Sequence, residues 1–258
     1  MSDACLHESA RDVEAALVVR LWTPPHAPWT DERIKRARAT TEMLTHIAAL
    51  HPRAALATSL QAESAVLIDL IVKAELKIDF ILVDTGRLPP ETLEAKRDIE
   101  ARYGREIIVS RPAPLDVKQW VSAHGADGFY ESEKLRLACC AMRKVRPLAR
   151  ALDGRSAWIT GQRRDQAHTR AGVSEHEIDS VLGIDKFNPL ADWSAEDVWA
   201  YVRAHDVPVN ALYARGYASI GCAPCTRAVR KDEDPRAGRW WWEQSDVKEC
   251  GLHAGAGI

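Results

Sequence analysis

Short apolar runs alternate with longer amphipathic stretches through most of this chain, and that alternation predicts its fold. "RAALAT" reads as a strand, followed by the loop "SLQAE" and the helix "SAVLIDLIVKAEL". "KIDFILVDT" is nearly continuous in apolar residues, as expected of a strand buried on both faces of a parallel sheet. "GRLPP" then turns into the helical pattern "ETLEAKRDIEARYG", and "REIIVSR" is a third strand. A helical pattern around "CCAMRKVRPLARAL" precedes a fourth strand, "RSAWITG". Strands alternating with helices of this length predict an α/β protein with right-handed βαβ units and a doubly wound, mostly parallel sheet. Upstream, "DERIKRARATTEMLTHIAAL" predicts a helix, and residues 1–30 a helical start and then a loop around "TPPHAPW". Downstream, "PLADWSAEDVWAYVRAHDVP" predicts a further helix, after which regular structure fades.

Composition narrows the class without changing this picture. The 258 residues are 46% hydrophobic and 28% charged, an ordinary globular balance with room for a proper core. A net charge of −2 supplies no global basic field, so neither nucleic acid nor an anionic membrane surface is expected as a partner. Any anion site must be a local cluster of Arg and Lys. No apolar run approaches the roughly 18 residues of a membrane span. The start, "MSDACLHESARDVEAALVVR", carries acids throughout and lacks a secretory pattern, so a cytoplasmic location is expected. Structural disulfides are disfavoured there, and the six cysteines are better read as metal ligands or reactive groups, with Cys5 incidental.

Ligands of open α/β sheets bind beyond the carboxyl ends of the strands. Those positions are "TSLQAES", "DTGRLPP", "SRPAP" and "TGQRRDQAHTR". They contribute Thr58, Ser59 and Ser64; then Asp84, Thr85, Gly86 and Arg87; then Gly161, Arg163, Arg164 and Arg170. Each loop alone is what any strand–helix connection looks like, but four converging on one edge predict a polyanionic ligand. No G-x-x-x-x-G-K-S/T run is present, so the site is not a Walker-type phosphate loop. The expected organisation is an N-terminal helical segment over 1–50, a nucleotide-binding α/β domain over 51–220 and an irregular C-terminal extension over 221–258.

"ACCAM" and "GCAPC" hold the strongest chemical signal, Cys139, Cys140, Cys222 and Cys225. Two pairs of thiolates satisfy either a tetrahedral zinc or an iron–sulfur cluster. Adjacent residues on a helix diverge by about 100°, which suits the separate corners of a cluster better than one small ion. A redox-active Cys222-x-x-Cys225 or a buried Cys139–Cys140 pair would each account for one half and leave the other unexplained.

Together, "CC" with "RK" close behind, C-x-x-C before a basic stretch, and a terminal "ECGLH" resemble the assimilatory adenosine 5′-phosphosulfate reductases, over about Ala54 to His253. The resemblance implies the adenine-nucleotide α-hydrolase type of fold. It implies reduction of adenosine 5′-phosphosulfate to sulfite and AMP in sulfate assimilation, with thioredoxin as reductant. It also implies one 4Fe–4S cluster on Cys139, Cys140, Cys222 and Cys225. By the same resemblance Cys250 is the nucleophile, Lys144 stands between cluster and substrate, and His253 belongs to the terminal catalytic motif. Arg236 and Arg239 of "DPRAGRWWWE" match the anion clamp, Arg170 ends the "RRDQ…TR" loop, and Ser59, Thr85, Gly86, Arg87, Gly161 and Arg164 complete the expected substrate contacts. A homo-oligomer is compatible with this reading and not specified by it. The phosphate loop lacks the paired glycines of ATP-pyrophosphatase relatives, which argues against ATP cleavage. Alternatives are use of the 3′-phosphorylated substrate, a cluster-containing tRNA-thiolating ATPase, and a zinc-stabilised nucleotide-binding module without catalysis.

Overall fold

The structure, a computed structural model, describes residues 20–244 together with Glu249 and Gly251. The expected helical start before residue 20, Cys5, Cys250 and His253 lie outside the described residues. The sequence from 31 onward folds into α1 (Asp31–Leu50), β1 (Ala55–Thr58), α2 (Ala62–Lys73), β2 (Asp79–Val83), α3 (Pro90–Tyr103) and β3 (Ile107–Ser110). Then come α4 (Pro114–His124), α5 (Glu133–Cys140), a π turn at Ala141–Val145, α6 (Arg146–Leu152) and β4 (Ala157–Ile159). Two short strands, β5 (His176–Ile178) and β6 (Asp185–Phe187), and α7 (Ala195–Ala204) complete the regular elements.

Local chemistry sets several boundaries. Thr30 caps α1 by accepting from the Arg33 N–H, and Asp31 and Glu32 lie in its positive first turn. Proline opens α3 at Pro90, where no N–H is needed, and Gly104 closes it in a left-handed conformation. Ser194 and Asp197 form a reciprocal capping box at the start of α7.

The six strands order as β3-β2-β1-β4-β6-β5, all parallel except β5, which runs antiparallel to β6. The chain winds outward from β1 to β3, then returns to β4 on the other side of β1. The β1/β4 junction is therefore the switch point at which such sheets leave a crevice. Alternation along β1 sends Leu56 into a large core with Leu67, Ile68, Phe80 and Tyr201. Its neighbour Ala55 faces a smaller core with Leu148, Leu152 and Trp158.

The four strands expected from apolar runs are β1 to β4. The pattern did not reveal β5, whose three residues are all exposed, nor α4, which buries only Trp120. The expected helix across the cysteine pair is interrupted: α5 ends on Cys140 and the chain passes through the π turn before α6. Among the described residues no helix is long and apolar enough to cross a membrane.

One buried carboxylate ties three helices together. Asp69 of α2, fully buried, accepts from the Tyr103 hydroxyl at 2.9 Å and the Tyr201 hydroxyl at 2.5 Å, and pairs with Lys73 at 2.8 Å. Burial and the Asp69 charge push both phenols above their ordinary pKa. Replacing Asp69 by Ala strands the buried Tyr201 hydroxyl and the partly buried Tyr103 hydroxyl and is expected to cost about 3–5 kcal/mol, read by chemical denaturation. Asp69→Asn keeps an acceptor and should lose less, and a cost below about 1 kcal/mol for Asp69→Ala would contradict this account.

Candidate active site

A cavity of about 740 Å³ opens at the carboxyl ends of β1, β2 and β4. Its floor is Thr58, Ser59, Val83, Thr160 and Gly161, and its walls carry Lys144, Arg163, Arg170, Lys231, Arg236 and Arg239. Three carboxylates, Glu63, Asp165 and Glu249, line it as well. The balance makes the cavity cationic, although the chain as a whole is not.

The loop after β1 is shaped by its own hydroxyls. Thr58 accepts from the Leu60 N–H at 3.1 Å, and Leu60 takes a left-handed φ of 57°. The Ser64 hydroxyl accepts from the Ser59 N–H at 3.2 Å. The first N–H of α2, at Ala62, donates to the buried Tyr213 hydroxyl at 2.9 Å. That helix start is thus partly satisfied by the protein itself.

The "TGQR" loop presses against α2 from the far side. A Cβ on Gly161 would stand 2.9 Å from the Cβ of Glu63, so only glycine allows this approach. Glu63 then accepts from Arg163 at 3.1 Å and Gln166 at 2.9 Å. Arg163, also engaged by Asp165 and the Trp193 carbonyl, is buried and tied to structure on several sides.

Arg170 and Arg236 converge on Glu249. Arg170 donates through Nε and Nη2, both at 2.9 Å, one to each carboxylate oxygen. Arg236 pairs with the same group at 3.3 Å, and Thr169 donates to it at 3.1 Å. Burial works to raise the Glu249 pKa, but Arg170, Arg236 and Thr169 outweigh it and hold the carboxyl at about 2. This depressed value means the contact is complete above the unfolded carboxyl's ordinary range and is lost only as pH falls toward about 2.

A second, small cavity lies on the other side of Lys144 and Trp240, which line both. All four candidate ligands line it: Cys139, Cys140, Cys222 and Cys225. Cys139 and Cys140 sit where α5 gives way to the π turn, and Cys222 and Cys225 sit on a tight turn closed by the Cys225 N–H donating to the Cys222 carbonyl. Burial pushes the Cys225 thiol up to about 12, with Cys222 adding and Lys144 and Arg239 opposing. Burial also raises Cys139, against the pull of Arg143. Among the described residues no three His, Cys, Asp or Glu side chains are arranged to hold a single metal ion.

Five expected substrate contacts line the large cavity together with Lys144: Ser59, Gly161, Arg170, Arg236 and Arg239. Thr85, Gly86 and Arg87 do not; Arg87 lines the cysteine cavity, and Thr85 and Gly86 precede it in the same loop. Thr85 lies 3.2 Å from the Cys222 sulfur, and the Arg87 carbonyl accepts from the Ala223 N–H, binding the "DTGR" loop to the C-x-x-C turn. Gly86, with φ of 70°, lies under Arg143, whose guanidinium donates to the Thr85 carbonyl at 2.7 Å. Arg164 faces away, paired with Asp192 and donating to the Val173 carbonyl at 2.7 Å. Sequence reasoning missed Glu249, Arg136, Arg143 and Trp240. The guanidinium groups of Arg136 and Arg239 both lie over the Trp240 ring, 4.5 Å and 4.6 Å from its centroid. The only local signal was adjacency: Arg136 and Arg143 flank the cysteine pair, and Glu249 precedes Cys250.

The chain has counterparts among known proteins. Residues 53–228 match the phosphoadenosine phosphosulfate reductase domain. The adenosine 5′-phosphosulfate reductase of Allochromatium vinosum is 50% identical over 87% of this chain and 88% of its own length. That of Burkholderia cepacia is also 50% identical, over 87% of this chain and 90% of its own. A crystal structure of phosphoadenylyl-sulfate reductase from Candida auris, in complex with phosphate, aligns with a TM-score of 0.64 at 26% identity, over 80% of this chain and 100% of that one. The chain belongs to the phosphoadenosine phosphosulfate reductase domain family.

Proposed function

We propose that this protein reduces adenosine 5′-phosphosulfate to sulfite and AMP in sulfate assimilation, with Cys250 as nucleophile and a dithiol protein of the thioredoxin type as reductant. The observation that carries the reading is the arginine- and lysine-lined cavity at the sheet's switch point, bordered by the four-cysteine cavity and reached by Glu249, the neighbour of Cys250. The names of the 50%-identical relatives support the unphosphorylated ribose as substrate. In this reading residues 51–220 bind the nucleotide, 221–258 carry clamp and nucleophile, and the protein works in the cytoplasm, where reduced dithiols are available.

The chemistry balances on two thiol steps. The Cys250 thiolate attacks the sulfate sulfur, the bond from that sulfur to the phosphate oxygen breaks, and AMP departs with the electron pair. The product is a Cys250 S-sulfonate. A reductant thiolate then attacks the Cys250 sulfur, sulfite leaves with the bonding pair, and the reductant's second thiol releases Cys250 as a thiol, leaving the reductant as a disulfide. Charge grows on the departing phosphate, and Lys144, Arg236 and Arg239, which line the cavity, stabilise the transition state. His253, the histidine of the terminal motif, is assigned a further catalytic role.

The four sulfurs are a soft donor set gathered on one cavity and lined by Arg87, Arg136, Arg143 and Lys144, cations suited to offset a thiolate-bound cluster. They fit an iron–sulfur group, for which we propose the 4Fe–4S form on Cys139, Cys140, Cys222 and Cys225. When bound, such a group would place a buried charge beside Lys144. Lys144 itself, in the wall between the cavities, orients the substrate oxyanion.

Protein mixed with adenosine 5′-phosphosulfate without reductant is expected to carry one added SO₃ on Cys250 by mass spectrometry. Cys250→Ser should abolish turnover by at least about 10³-fold, and an unmodified Cys250 or an active serine variant would refute the assignment. The same assay with the 3′-phosphorylated nucleotide decides substrate choice through kcat/KM. Anaerobically purified protein should contain about four irons and four sulfides per chain, lost in Cys140→Ser, whereas stoichiometric zinc would refute the cluster. A Cβ on Gly221 would meet the Arg239 guanidinium carbon at 2.6 Å, so Gly221→Ala should displace Arg239. The expected result is AMP binding weakened about tenfold by calorimetry; unchanged binding would remove Arg239 from the clamp.

A further inference from the structure

Among the described residues Glu249 is the one acid lining the large cavity whose partners include two of the expected substrate arginines. Of the other two carboxylates there, Glu63 and Asp165 are both spent on Arg163. The Arg170 fork grips Glu249 through both carboxylate oxygens, the arrangement a guanidinium also makes with sulfate or phosphate. Arg236 approaches from a second side. The backbone is held independently, since Arg136 donates to the Glu249 carbonyl at 2.5 Å while its other nitrogens pair with the buried carboxylate of Glu243. The Glu249 side chain therefore sits in the anion seat of the cavity, while its main chain is fastened from the cysteine side.

We propose that Glu249 is an internal counter-anion of this seat, occupying Arg170 and Arg236 until a substrate oxyanion displaces it. The proposal rests on the reading of the cavity as a sulfonucleotide site and adds a positioning and selecting residue to it. Exchange of one anion for another keeps the guanidiniums paired throughout, so the cations are never left desolvated and unmatched. The exchange also favours anions that bring more charge and more oxygens than a carboxylate. Inorganic sulfate, a dianion, meets both demands; the substrate's terminal sulfate carries one charge, as the carboxylate does, and meets the second through its three free oxygens. AMP has lost the sulfonyl group that fills this seat, so Glu249 returns to it after transfer and assists release. Cys250 is the next residue in the sequence, so loss of the Glu249 charge is expected to show in the sulfonation step as well as in binding.

The test compares Glu249→Gln, which keeps shape and loses charge, with wild type. Inorganic sulfate and, in a Cys250→Ser background, adenosine 5′-phosphosulfate are titrated by calorimetry, with AMP alongside. Glu249→Gln is expected to bind sulfate and the substrate about tenfold more tightly and AMP less than about threefold more tightly. In the enzyme with Cys250 intact, KM should fall while single-turnover sulfonation slows about tenfold or more. A merely structural role would weaken binding and rate together. Glu249→Asp, which retains the charge, should fall between the two, and it serves if the glutamine variant fails to fold. Sulfate and substrate binding no tighter in Glu249→Gln than in wild type overturns the proposal. Wild-type protein that binds sulfate but forms no S-sulfonate would overturn the functional reading instead, and the sulfate titration would still decide the role of Glu249.

Discussion

The approach of the Gly161 loop to the start of α2 is the contact on which the site depends. Parallel strands β1 and β4 are neighbours, so their carboxyl-end loops must diverge around whatever lies between them. Here a residue without Cβ lets the backbone after β4 rest on Glu63 of α2. That placement brings the Glu63 carboxylate within reach of Arg163 and Gln166, which pin the loop and aim its continuation, Arg170, into the cavity. A larger side chain at 161 would open the seam and spread the cations. The cavity's charge is thus a consequence of backbone packing, and the arginines follow from it.

Its second constraint is the wall shared with the cysteine cavity. Trp240 is fully buried, holds a left-handed φ of 44°, and has two guanidiniums over its ring. The aromatic quadrupole attracts each cation, a gain of roughly 0.5–2 kcal/mol when desolvated, which offsets the repulsion between them. One of these groups, Arg239, lines the large cavity, and the other, Arg136, lines the small one. Lys144 joins them in facing both. A charge bound at the cysteines and an anion bound beyond the sheet therefore act on overlapping cations. This accounts for a cationic site in a protein that is slightly acidic overall.

Periodicity made much of this legible because strands β1 to β4 and helices α1 to α3 bury one face or both, and burial leaves a local trace. The cysteine pairs were legible because two unusual spacings coincide in one chain. Strands β5 and β6 left little trace: β5 is wholly exposed and exists through pairing with β6, a contact whose register no local pattern encodes. The π turn was invisible for a similar reason, since one extra residue in a helical turn barely alters the apolar spacing.

The sequence by itself determined the α/β class, the strand–helix alternation and the kinds of group available: thiols in two pairs, and arginines in loops that follow strands. Only the tertiary structure decided which groups meet. It placed Thr85, Gly86 and Arg87 with the cysteines, turned Arg164 toward Asp192, and set Glu249 between Arg170 and Arg236. Most of these assignments join residues dozens of positions apart, and charge pairing depends on distance in space. Hydrophobic patterning reports how each segment is buried; it carries no record of which cation a carboxylate will find.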